Sequence, residues 1–382
     1  MSGLRLSRNH QKRRGSRAVA HAHGCTLAPL VLLGAAPIMV LPTPATLGLG
    51  AAAATAWILQ RRRLGTDRRM VVVDAGSGST RCVCLGTRRC DGAVRVVGGP
   101  ERVPRRLGDA LLADDVDAWA RDVARAVDAI SAPSTPVRGA ATAGAREALR
   151  KRGEKDLGKA GRAVEAALAA STRGRPTAFA VLSGAEEARL EFRAVNAALP
   201  GVGVLAGGGK SLQVASSLED AASLDLDSFA GHERVKKHGA KAGAMMHEWA
   251  SRKDVANALQ GSVRTYQGRF ALVELAAGAL HLAGGPRDAD VSAADFAALL
   301  KKRRSDLEAR LNPTENSADR PIVNAEANAA AVRELIYAVQ LGCVLDLVFK
   351  EDATFRALAP KAVGREPAVN WALGLYLDRR DN

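Results

Sequence analysis

Apolar positions along this chain fall into two kinds of stretch, short unbroken runs and longer segments with a helical period. Val71-Val72-Val73 predicts a buried strand, because β-branched side chains pack well on a pleated surface. Asp74 stands at its end, and a loop of glycines and small hydroxyl residues follows. Cys82-Val83-Cys84-Leu85 then resumes as a second strand. Asp109 to Ile130 carries Leu111, Leu112, Val116, Trp119, Val123, Val127 and Ile130 at helical spacing. The stretch from Pro136 to Glu147 reads as a short strand turning into a helix, with Thr142 at the turn. Thr177 to Leu182 is again a strand, ending at Ser183-Gly184-Ala185-Glu186-Glu187, where a helix continues through Phe192, Val195 and Leu199. Val202 to Leu205 is the next strand, and Ala206 to Val214 holds a second glycine-rich turn. Helices are predicted over Gly231–Trp249, Phe270–Leu282, Ala293–Leu311 and Asn328–Phe349, with a polar loop over Asn312–Pro321. No internal repeat is visible, although the two glycine loops are alike in kind.

Ahead of Val71 the pattern is different. Residues 1–24 form a basic, acid-free tail, and Cys25 to Gln60 then runs 36 residues without a charge. A bilayer span needs about 20 such residues. Prolines 29, 37, 42 and 44 break the first half, so the cleaner span is Ala45–Leu59, with Trp57 near an interface. Arg61, Arg62 and Arg63 stop the run and open a basic linker over 61–70. The segment is read as a membrane anchor. For a cleaved secretory signal it is too long and too far from the start, whereas an Arg-rich, acid-free transit peptide also fits. Basic flanks of nearly equal size give little evidence of orientation.

Composition narrows the picture further. The chain has 382 residues, 47% hydrophobic and 25% charged, which is not a disordered composition and leaves room for about two lobes. With aromatics at 4%, the core must rest on Val, Leu and Ala. The net charge of +15 is uneven: residues 1–70 hold eleven Lys/Arg against one acid, Asp67. The basicity is therefore mostly a property of the tail and is no footprint for nucleic acid. Five cysteines without a C-x₂-C pair make a disulfide framework or a structural zinc site a poor fit. Cys82 and Cys84, two apart on a strand, share one face as small hydrophobes.

Several stretches carry candidate chemistry. Glycines let backbone N–H groups converge on an anion, and hydroxyls add donors, so the loop after Asp74 suits a phosphate. An ordinary Asx-type turn reads equally well there. Thr142 reads plainly as an N-cap, and the Glu186–Glu187 pair as acids favoured by the helix dipole. The dipole does not explain the Ser-Gly before that pair, at a strand end where ligands of α/β sheets gather. Gly207-Gly208-Gly209 is costly to order unless backbone must approach something closely.

Taken in order, these stretches resemble the apyrase family of nucleoside triphosphate diphosphohydrolases. The family's Asp-Ala-Gly-Ser-Ser-Gly-Thr-Arg is similar to Asp74–Arg81, and its Ala-Thr-Ala-Gly-Met-Arg to Ala141–Arg146. Its Gly-x-Glu-Glu-Gly resembles Gly184–Ala188, its Ser-Trp-x-Leu-Gly resembles Asn370–Gly374, and Cys343-Val-Leu-Asp-Leu-Val resembles a Cys-x-Asp-Leu segment. The stretch Ser183–Leu190 is also close to exopolyphosphatases and guanosine pentaphosphatases, while the Trp-containing ending favours the apyrases. The resemblance implies two actin-like (ribonuclease H-like) α/β lobes around a phosphate cleft, one over 71–200 with 362–382 returning to it, the other over 201–361.

The resemblance also implies roles. Glu187 would be the base that activates water against the terminal phosphate of a nucleoside di- or triphosphate, with Ser211 and Gln213 orienting that water. Asp74, Thr142, Glu187 and Trp371 would hold the water shell of Ca²⁺ or Mg²⁺. Ser77, Gly78, Ser79, Thr80 and Arg81, with Gly208, Gly209 and Lys210, would cradle phosphates. A membrane-bound protein with its lobes in the Golgi or ER lumen, or outside the cell, is expected. One departure stands out. The family's Asp-Leu-Gly-Gly-Ala-Ser-Thr-Gln aligns with Ala206-Gly-Gly-Gly-Lys-Ser-Leu-Gln213, so an aspartate is replaced by Ala206 and Lys210 enters the loop. The expectation is weakened metal binding and low turnover. A nucleotide-binding member with impaired catalysis and a polyphosphate hydrolase remain as alternatives.

Overall fold

The computed structural model describes residues 66–88, 91–225, 228–258, 265–312, 325–358 and 367–378. The tail and the uncharged 25–60 segment lie outside the described residues. Among the described residues no helix is long and apolar enough to cross a membrane.

The first sheet grows from the Val71 run. Strands β1 (Thr66–Ala75), β2 (Thr80–Arg88) and β3 (Val94–Val103) form an antiparallel meander. Strands β4 (Val137–Ala141) and β5 (Thr177–Val181) join parallel to β1, giving the order β3-β2-β1-β4-β5. β1 is central, so both of its faces are covered, which is why it reads as an unbroken apolar run rather than an alternation. Val71 and Val73 face a cluster with Trp119, while Met70 and Val72 face Trp371, Leu375 and Tyr376. Cys82 and Cys84 sit together in the Trp119 cluster.

The first cluster is roofed by α1 (Leu107–Leu112), α2 (Val116–Ile130) and α4 (Leu157–Ser171). The sequence pattern predicts one helix over Asp109–Ile130. It is two, because Asp114 adopts a left-handed φ of 57° and breaks the ladder there. Trp119 meets Phe179 edge-to-face at 5.6 Å, and its indole N–H donates to Thr80 Oγ1 at 3.1 Å.

The second sheet repeats the plan. Strands β6 (Gly203–Gly207), β7 (Ser211–Ala215) and β8 (Ala221–Asp225) form a meander. Strands β9 (Arg269–Val273) and β11 (Thr354–Ala357) follow parallel to β6, with β10 (Val291–Ser292) at the edge, in the order β10-β11-β9-β6-β7-β8.

Here one expectation is overturned. Phe270–Leu282 is not a single helix: its first residues are β9, and α8 (Glu274–Leu282) begins only afterwards. A short apolar run suits a doubly buried strand as well as a helix turn, and periodicity cannot separate them. Lateral pairing with β6 and β11 decides it. Likewise Gly231–Trp249 is two helices, α6 (Ser228–His238) and α7 (Ala240–Ala258), parted at Gly239 with φ 77°. The pattern held for α9 (Ala293–Leu311) and nearly so for α10 (Ala325–Val348).

Helix α5 (Gly184–Ala198) stands between the sheets and belongs to both. Leu190 and Ala194 pack into the first-sheet cluster with Trp371, whereas Ala188 and Val195 pack with Val204, Ala206 and Val273 of the second sheet. The closing helix α11 (Trp371–Asp378) crosses α5 at Gly374, where a Cβ would lie 1.9 Å from the Leu190 carbonyl oxygen.

Candidate functional site

The α5 N-terminus lies close to the second sheet, where a Cβ on Gly184 would meet Ser223 Cβ at 2.1 Å, and the ends of both sheets come together there. Asp74 closes β1 and pairs with Arg81 across the hairpin and with Ala140 of β4. The loop from Gly76 to Ser79 lies against helix α3 (Ala143–Lys151): a Cβ on Gly144 would come 2.7 Å from Ser77 Cα. Opposite, the Gly208 N–H donates to the Ser211 carbonyl at 2.9 Å, closing the turn between β6 and β7. A Cβ on Gly209 would lie 3.2 Å from Ser77 Oγ, so the two glycine loops face one another. Close backbone approach is the reason this turn is glycine-rich.

α5 supplies the acids. Ser183 caps it and Glu186 returns the bond in a capping box, donor and acceptor satisfied on each side. Glu186 is therefore occupied at the helix start, and Glu187 is the acid facing inward, 6% exposed. Arg146 Nη1 on α3 donates to Glu187 Oε2 at 3.0 Å and to the Leu182 carbonyl at 3.0 Å. That guanidinium fixes the carboxylate's position and sets a positive charge beside it. Ser211 and Gln213, two apart on β7, are both buried on one face, and Gln213 Nε2 donates to Ser211 Oγ at 2.6 Å. The bond leaves the Ser211 hydroxyl proton available to a further acceptor.

The expected site residues do not all arrive. Thr142 stands at the N-cap position of α3, without a side-chain cap bond, and is buried at the β4 end. Ser77, Gly78 and Ser79 form the exposed to half-buried lip of the first loop. Thr80 does not join them: it is fully buried and its hydroxyl accepts from Trp119. Arg81, next along β2, has its side chain exposed. Lys210 is engaged by Glu147 of α3, which also pairs with Lys151 at 2.7 Å. The Trp371 indole is packed in the core, and it is the Trp371 backbone N–H that reaches into the cleft, donating to Glu191.

Sequence reading missed two acids. Glu191 lies one turn after Glu187 on α5, a four-residue spacing that puts both on one face. Glu274 opens α8 and was hidden inside the misread helix. Asn370, which stands where the resembled motif has serine, donates to Glu274. Asp74, Glu187, Glu191 and Glu274 all lie within electrostatic reach of one another. Burial pushes the Asp74 carboxyl up to about 6, with Arg81 opposing. Burial, then the charges of Asp74 and Glu187, push Glu274 up to about 8. Glu191 is raised by burial and by Glu274 and Glu187.

A divalent cation is implied by the resembled family, and the residues fit one. The donors are all oxygen, which suits Ca²⁺ or Mg²⁺. Glu191 is 1% exposed and its Oε2 has no hydrogen-bond partner, so a buried carboxyl oxygen is left to be satisfied. Among the described residues no three Asp, Glu, His or Cys side chains converge tightly enough to ligate an ion directly. An ion here would therefore keep its waters, and Asp74, Thr142 and Glu187, the residues that the resemblance implies, would hold it through them.

Beside the second loop lies a cavity of about 660 Å³, running from Gly209 and Lys210 along α8, α9 and α10. Leu275, Leu282 and Ile336 give it apolar walls, with Arg303 and Arg333 at the margin. The Gln340 side-chain amide nitrogen in its lining is buried without a partner.

No protein-family profile and no curated protein sequence matches the chain. Solved structures do. A Ppx/GppA protein-family member from Aquifex aeolicus superposes with a TM-score of 0.53 at 13% identity, covering 82% of this chain and 99% of that one. Nucleoside triphosphate hydrolases from Neospora caninum superpose with a TM-score of 0.51 at 13% identity, covering 88% and 97%. At such identities the likeness concerns the fold. The described part of the chain is similar to these structures in fold: a two-lobed, actin-like α/β architecture with two mixed sheets.

Proposed function

We propose that the protein hydrolyses the terminal phosphate of nucleoside di- or triphosphates in this cleft. The observation that carries the reading is Glu187: an inward-facing acid fixed by Arg146 of α3, the helix on which the first glycine loop rests, with the second loop facing the first. Phosphoryl transfer asks mainly for positioning and charge neutralisation. The loop N–H groups and the Ser77 and Ser79 hydroxyls bind the phosphate oxygens. Glu187 accepts the proton of a water, and the Ser211 hydroxyl, oriented by Gln213, positions that water. Asp74, Thr142 and Glu187 would hold a Ca²⁺ or Mg²⁺ ion through its waters, and the ion would supply charge neutralisation at the phosphate.

The apolar cavity adjoining the second loop favours a nucleoside over a bare phosphate chain, since it offers walls to a base and a partnerless amide for its edge. Polyphosphate hydrolysis is the second reading. It is favoured by the likeness to a Ppx/GppA protein, which is as good as the likeness to the triphosphate hydrolases. Phosphate release from ATP, ADP and polyphosphate, each with Mg²⁺ or Ca²⁺, decides between them. Release from polyphosphate alone, uninhibited by a nucleoside diphosphate, rejects the nucleotide reading. The 25–60 segment as a membrane anchor, with the lobes lumenal or extracellular, belongs to the same proposal and rests on its uncharged length.

A further inference from the structure

The two sheets are built to one plan, which makes their strand ends comparable. Each has a three-strand meander whose first strand is joined in parallel by a later one. In the first sheet the β1 end carries Asp74 and the β4 end carries Thr142. In the second the β6 end carries Ala206 and the β9 end carries Glu274. The registers differ by one residue: Asp74 lies beside Ala140, two residues before Thr142, while Ala206 lies beside Val273, one residue before Glu274, which bridges to Gly207. The second sheet thus presents its acid one strand over from where the first presents its own.

Glu274 holds that place against a backbone cost. Its φ is 54°, a left-handed conformation that glycine adopts freely and glutamate does not. Its side chain accepts a hydrogen bond from Asn370 and feels the charges of Asp74 and Glu187. Behind it lies Glu191, buried, with Oε2 partnerless. Four carboxyl groups thus share two guanidinium groups, Arg146 bonded to Glu187 and Arg81 acting on Asp74 and Glu274, which leaves acid in excess for a cation.

We propose that Glu274, backed by Glu191, provides the second sheet's carboxylate for the hydrated divalent cation of the cleft, in place of the side chain absent at Ala206. The inference rests on the metal-assisted reading above. It also revises the expectation of weak metal binding drawn from Ala206, because the charge is moved rather than lost.

The test is direct titration of the full chain with Mn²⁺ or Mg²⁺, by paramagnetic resonance or calorimetry, without nucleotide. The natural protein binds; Glu274→Gln and Glu191→Gln each lower affinity, Glu274→Gln by about 10–100-fold. Ala206→Asp in the Glu274→Gln background recovers the affinity. In chelator, Glu274→Gln and Glu274→Gly raise the thermal midpoint, the first by removing a sheltered charge and the second also by relieving the backbone. A merely structural Glu274 gives the opposite sign: lower midpoints, with affinity unchanged. If the natural protein binds and Glu274→Gln binds equally well, this inference falls and the metal-assisted reading survives. If the natural protein binds no cation, both fall.

Discussion

At the scale of residues, the cleft is a place where charge is sheltered and then constrained. Glu187 is the acid with a partner able to hold it for proton transfer. Glu187→Gln is expected to reduce phosphate release by about 10²–10⁴-fold while leaving the fold intact. Unchanged turnover with an unchanged circular dichroism spectrum would move the base to Glu191 or Glu274, since Glu186 is committed to the helix cap. The raised acids set a pH dependence. A carboxyl that ionises less readily in the folded chain contributes stability below its unfolded value and loses it as pH rises through the folded value. Asp74 goes from 3.8 to about 6, and Glu274 from 4.5 to about 8. The cation-free protein should therefore lose thermal stability as pH climbs from near 4 to about 8. Glu274→Gln flattens the upper part of that fall. Midpoints measured in chelator across this range check it, and a midpoint that rises instead contradicts the assignment.

At the scale of elements, α5 decides whether the site is assembled. It carries Glu187 and Glu191 on one face while Leu190 and Ala188 anchor it to different sheets. Its contact with α11 is backbone to backbone at Gly374. Gly374→Ala should cost about 1–3 kcal/mol, because a methyl cannot fit against the Leu190 carbonyl. It should also displace the Trp371 N–H from Glu191, so activity falls more than stability explains. Full activity at the natural melting temperature would mean that α11 slides without consequence.

Elements also show where sequence reading stops. The Val71 strand and the α5 cap were legible because each is announced locally, by β-branching and by Ser183 with Glu186. The β9 strand was not, because Phe270–Val273 has no periodicity of its own and is a strand only through pairing with β6 and β11. With that misreading Glu274 was lost, although its type and number were in plain view.

At the scale of the whole molecule, the Lys210–Glu147 ion pair joins the second glycine loop to α3 across the cleft. A partly exposed pair of this kind is worth about 0.2–1 kcal/mol, so as a tether it matters little. Comparing variants separates tether from phosphate contact. If Lys210 also meets phosphate, Lys210→Met raises KM well beyond Glu147→Gln; equal small effects leave it a tether. For the N-terminal segment, the anchor reading requires the full-length protein to stay with membranes through a carbonate wash. Release into the supernatant rejects it.

The sequence by itself determined the ordered set of small-residue loops and acids, since short motifs are local and survive without tertiary help. It also determined the apolar strands that bring them to sheet ends. It left Thr80 and Trp371 as site residues, because nothing local says that a hydroxyl will serve an indole or that an indole will fill a core. Only the tertiary structure showed that the two halves share one plan with no visible sequence repeat. Strand pairing and burial preserve such a plan through backbone register, which many apolar side chains satisfy equally. That same plan placed Glu274 beside Gly207 and within electrostatic reach of Asp74, residues far apart along the chain, because strand pairing acts in space and not along the sequence.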